Sequence, residues 1–111
     1  MRKRENIVAT LKFVFNKEKV KAAGKTVDEL MKPIREKLCS DGAEEIEPLV
    51  FSKTGKNSIT TFTILVVKVT DADHTFINLL DEWILDAEGE IEDCIKETQR
   101  WYDEKGIQYD K

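Results

Sequence analysis

A chain of 111 residues has the length of one domain, residues 1–111, around a single core. Hydrophobic residues make up 41% and charged residues 36% of it, against roughly 25% charged in ordinary domains. With five Gly and two Pro, the composition excludes collagen-like, Pro-rich and disordered chains. The net charge of −4 hides a dipolar chain: residues 1–37 hold eleven Lys or Arg and five Asp or Glu, and residues 38–111 hold seven and seventeen.

In chain order, Ile7 to Phe15 alternates Ile7, Leu11, Phe13 and Phe15 with Thr10 and Lys12, which predicts a half-buried strand. Asn16 to Lys25 is polar and Lys-rich, a loop with at most one helical turn. Thr26 followed by Glu29 forms a capping box, and Leu30, Ile34 and Leu38 recur at helical spacing, so a helix starts at Thr26. Pro33 should kink it, and Cys39-Ser40-Asp41-Gly42 should end it on a left-handed glycine. Ile46 to Phe51 predicts an edge strand holding Pro48, with Thr54-Gly55-Lys56-Asn57 as a hairpin loop. Ile59 to Thr70 is β-branched and apolar on both faces, which predicts the central strand. From Asp71 or Asp73 onward, positions 76, 80, 83, 87, 91, 94, 98 and 101 form a stripe with a mean spacing of about 3.6, which predicts one long C-terminal helix running through Gly89.

The fold class expected from these elements is α+β, with a small antiparallel or mixed sheet of about three strands in β-α-β-β-α order. That order resembles the split β-α-β unit of ferredoxin-like domains without their last strand. The resemblance is topological and names no activity.

The chemistry legible in the chain is sparse. Cys39 and Cys94 are too few for a disulfide framework, and with His74 they make no paired zinc motif, so reduced thiols are expected. Cys39 falls at a predicted helix C-terminus and Cys94 stands among Glu90, Glu92, Asp93 and Glu97. Neither environment favours a thiolate. His74 has Asp71 and Asp73 beside it but no neighbouring nucleophile. The run Asp86 to Asp93 fails as a calcium loop, because Ile91 stands where glycine is required. Gly-rich phosphate loops and Gly-flanked nucleophilic serines do not occur in the chain. The expectation is a protein with no catalytic constellation, no cofactor, no metal and no small-molecule substrate.

No apolar stretch approaches the ~20 residues of a membrane span, and the run after Met-Arg-Lys-Arg-Glu-Asn is short for a signal peptide. A cytoplasmic protein with no membrane partner is therefore expected. Its expected function is a small interaction or regulatory module that binds protein, including a second copy of itself as a homodimer. The long helix would present Trp83 and Trp101 with Asp86, Glu90 and Asp93 as a partner surface. The alternative is an RNA-binding regulator in which Lys12, Lys17, Lys19, Lys21 and Lys25 contact phosphates beside an open sheet face. A third reading is an acidic mimic of nucleic acid through residues 71–95, which hold nine carboxylates and no Lys or Arg.

Overall fold

A computed structural model describes residues 7–109. The chain forms β1 (Val8–Phe15), α1 (Lys17–Ala22), α2 (Val27–Ser40), β2 (Glu44–Glu47), β3 (Val50–Thr54), α3 (Ser58–Ala72), β4 (Leu80–Ala87), β5 (Glu90–Asp93) and α4 (Cys94–Lys105), with a 3-10 turn at Phe76–Leu79. The architecture is α+β. All strand pairs are antiparallel and the sheet order is β2-β3-β1-β4-β5. The expected sheet of about three strands is thus a sheet of five. The β-α-β-β-α order does run from β1 to α3, with β3 between β1 and β2 as in a split β-α-β unit, while β4 beside β1 supplies the strand expected to be missing and β5 and α4 are additions.

The alternation in β1 sets the layering. Ala9, Leu11, Phe13 and Phe15 are buried, while Val8, Thr10, Lys12 and Val14 face the other way. Against the buried face, α2 sets Met31, Ile34 and Leu38, α3 sets Phe62 and Leu65, and α4 sets Cys94, Thr98 and Tyr102. These spacings of three and four residues are one side of a helix. The molecule measures 21 Å along its shortest axis, which suits one helical layer on one sheet, each about 10 Å thick.

Several elements follow from local chemistry that the sequence displays. Thr26 accepts from the Glu29 backbone N–H at 3.1 Å, and Glu29 reaches back to the Thr26 N–H at 2.9 Å, so the capping box closes where it was expected. The helix continues through Pro33 to Ser40, and Gly42 follows with φ of +94°. Asn16 caps the Lys-rich segment by accepting from Lys19 at 3.0 Å, and Val20 is buried, so a short helix forms where a loop was expected.

Three expectations are overturned. The strand at Ile46 to Phe51 is two strands, because Pro48-Leu49 turns the chain. Proline fixes the first turn position, and Leu49 takes φ of +67° at the second. Its N–H donates to Glu45 Oε2 at 2.9 Å. Thr54-Gly55-Lys56-Asn57 is then no hairpin loop, since it leads into α3.

Ile59 to Thr70 is no central strand, since it lies within α3. Nine of the fifteen residues of α3 are β-branched, which argued for a strand, but Ser58, Phe62, Leu65 and Val69 turn inward at helical spacing. Burial of that stripe outweighs propensity differences of a few tenths of a kcal/mol per residue.

The long C-terminal helix is absent as well. Glu88 and Gly89 take φ of +56° and +92° between the paired Ala87 and Glu90, a two-residue hairpin of the type whose twist suits antiparallel strands. Trp83, Leu85 and their neighbours follow a period of two in β4, and the apparent 3.6 spacing across residues 76–101 joins a 3-10 turn, two strands and a helix by coincidence.

Candidate functional site

The predicted partner surface is dispersed by this hairpin. Trp83 is fully buried in β4, its ring 5.4 Å from Phe13 and 5.3 Å from Phe76, so it belongs to the core and not to a docking face. Asp86 accepts from the Gly89 N–H at 3.0 Å and fixes the hairpin turn. Asp93 caps α4 by accepting from Ile95 and Lys96 at 3.1 Å. Glu90 is exposed at the start of the edge strand β5. Trp101, half-buried on α4, keeps a place beside an accessible groove.

The acidic stretch 71–95 is likewise spread over α3, two strands and their turns rather than along one helix. Glu88 accepts from the Val8 N–H at 2.8 Å, and Glu82 lies 3.3 Å from Lys12 across the sheet. Lys12 therefore stands on the sheet face away from the helices beside a carboxylate, whereas Lys17, Lys19 and Lys21 are exposed on α1 and Lys25 precedes α2. The structure does not gather the five lysines onto one element.

The nucleophile candidates are quiet. Cys94 is buried at the first position of α4, where the helix terminus would favour a thiolate. Burial outweighs this and, with Glu92 and Asp93 adding to it, pushes the thiol up to about 12. Cys39 is exposed in the last turn of α2. His74 packs edge-on against the Tyr102 ring at 5.2 Å. Among the described residues no three His, Cys, Asp or Glu side chains are grouped to hold a metal ion, and no helix is long and apolar enough to cross a membrane.

What the sequence reading missed is the outward side of α3. Its inward stripe fills the core, yet Ile59, Ile64 and Val67 on the other side are 38%, 47% and 49% exposed. Thr60 and Thr63 stand among them. Between Ser58 and Thr70 the only charged residue is Lys68. A helix apolar all round is ordinarily covered on all sides.

Grooves run along both flanks of this helix. Toward α4, a cavity of about 160 Å³ is lined by Val66, Val67, Thr70, Leu85, Thr98 and Trp101. Toward α2, one of about 360 Å³ is lined by Leu30, Pro33, Ile34, Leu65, Val69 and Phe76. The two grooves and the helix between them make a largely apolar strip across the helical layer. Its signal in the sequence was the length of the run: twelve residues from Ile59 to Thr70, all apolar or threonine but Lys68, exceed an ordinary strand and suit a helix.

The fold and site thus define an α+β domain with a five-stranded antiparallel sheet and an apolar central helix facing outward. Comparison with protein-family models, with curated proteins and with solved structures finds no match to this chain.

Proposed function

We propose that this protein is a non-enzymatic interaction module that binds a protein partner through the outward side of α3 and the groove beside Trp101. The observation that supports this reading is the exposure of Ile59, Ile64 and Val67 on a helix whose opposite side already serves the core. Contiguous apolar surface of this kind costs solubility unless a partner covers it, and a flat protein surface covers a helix better than a small molecule does. The half-buried Trp101 at its margin is the residue type that anchors such contacts. A cytoplasmic location accords with two unpaired thiols, one of them exposed.

Photo-crosslinking separates this from the nucleic-acid reading. A photoreactive residue at Ile64 should yield protein adducts in cells, and one at Lys21 on α1 should yield none. Nucleic-acid adducts at Lys21 with nothing at Ile64 would replace the protein-binding reading with the RNA-binding one.

A further inference from the structure

We infer that the outward face of α3 is an interface between two copies of this chain, packed antiparallel about a two-fold axis passing between Thr63 and Ile64. The inference rests on the reading of α3 as a binding surface and names its occupant.

The first argument is self-complementarity. An antiparallel pair centred between positions 63 and 64 sets Thr63 opposite Ile64, Thr60 opposite Val67, Ile59 opposite Lys68 and Lys56 opposite Asp71. All eight of these positions are exposed. The next positions inward, Thr61 and Val66, are both half-buried, and Phe62 and Leu65 are both buried. The face therefore presents the same relief to a copy of itself read in the opposite direction, as a two-fold interface requires. Small threonines at the middle let the helix backbones approach, and the Lys68 stem can lie along Ile59.

The second argument is charge. The residue just outside the start of α3, Lys56, is a cation and the residue near its end, Asp71, is an anion; the first turn holds no acidic residue and the last turn no basic one. Both charges oppose the dipole of their own helix. Antiparallel apposition corrects this twice over, because each Lys56 then meets the negative end of the other helix together with its Asp71.

The test uses this opposition of sign. Sedimentation equilibrium of the wild-type chain, from tens of micromolar to millimolar, should show a monomer–dimer equilibrium, and Ile64→Glu should leave only monomer. Lys56→Asp and Asp71→Lys should each weaken the dimer by roughly three- to tenfold. Each should at the same time raise the melting temperature of the dilute monomer, so loss of folding cannot explain the weakening. The double reversal should return the dimer to near wild-type strength. A wild-type chain that stays monomeric at millimolar concentration, a dimer indifferent to Ile64→Glu, or a double reversal that fails to restore it would overturn the inference. Should the chain be monomeric while the Ile64 crosslinker still captures another protein in cells, the self-pairing falls and the protein-binding reading stands. Without any adduct, both fall.

Discussion

The hydroxyl of Tyr102 donates a hydrogen bond to the backbone carbonyl of Thr70 at 2.5 Å, joining α4 to the last turn of α3. The final four carbonyls of a helix have no partner within it, and Tyr102, fully buried, supplies one across the layer. Thr70 in turn directs its own hydroxyl to the Val66 carbonyl at 2.8 Å. Burial raises the Tyr102 phenol above its ordinary range, opposed by this hydrogen bond. Tyr102→Phe keeps the ring but leaves a buried carbonyl unpaired, which should cost about 1–3 kcal/mol. Thermal unfolding should show a lower midpoint, while Tyr109→Phe, at a half-exposed ring, should show a smaller change.

Gly89 gives a second test, because its φ of +92° belongs to the β4–β5 hairpin and not to a helix. Space around it is open, so a methyl group meets no neighbour and the cost is conformational. Gly89→Ala should destabilise by about 1–2 kcal/mol, lowering the melting point by at least 4 °C or so. A raised melting point would indicate a helix through this position and would contradict the hairpin.

Arg35 and Glu45 pair through two nitrogens, at 2.9 and 3.3 Å, and Glu45 also accepts from Leu49, so one carboxylate joins α2 to the β2–β3 turn. The Arg35 hydrogen bond holds the Glu45 carboxyl below its ordinary value of 4.5. Between the folded and unfolded values the unfolded chain binds the extra proton, so stability rises with pH there. The contribution is complete above about 4.5 and is lost as pH falls through the lower folded value. In Arg35→Met the difference in unfolding midpoint from wild type should therefore shrink as the solution is taken from pH 6 toward about pH 3. A difference that stays constant would mean that the carboxylate is not held by the arginine.

The assignment of α3 as a helix can itself be measured. Thr60 and Thr63 are exposed, and threonine is worse than alanine in a helix by roughly 0.6 kcal/mol, whereas in a strand threonine is preferred. Thr60→Ala with Thr63→Ala should therefore raise both the unfolding midpoint and the helical circular dichroism of dilute protein. A fall in both would mark the segment as a strand.

These tests fall where sequence and structure part. Ile7 to Phe15 and the capping box at Thr26 were legible because each is decided by neighbours within a few residues: alternation in one case, a reciprocal pair of hydrogen bonds in the other. Ile59 to Thr70 was misread because β-branched side chains favour strands locally, and only the core contacts of Phe62 and Leu65 reverse that. The 76–101 stripe misled in the opposite sense: its spacing was real, but Glu88-Gly89 is a weaker turn signal than Asn-Gly, and Trp83 and Leu85 alternate over too few residues to stand out. Of the partner surface, Trp101 lies beside the groove, while Trp83 serves the core, Asp86 the hairpin turn and Asp93 the cap of α4. The outward side chains of α3 could not be recognised as one helix face while the segment was taken for the central strand.

The two outer strands place limits on how this molecule can accumulate. Glu44, Glu45 and Glu47 occupy β2 at one margin of the sheet, and Glu90, Glu92 and Asp93 occupy β5 at the other. Each margin offers unpaired backbone groups, but a second copy approaching either one to lengthen the sheet brings carboxylates against carboxylates. Strand-by-strand growth, which has no natural end, is thus opposed at both margins, although Ile46 and Ile91 stand exposed there among the carboxylates, and α3 offers a further apolar face on the helical layer. A two-fold contact there consumes the same face on both copies and leaves none for a third, so crowding this protein should fill a population of pairs and not seed a fibre.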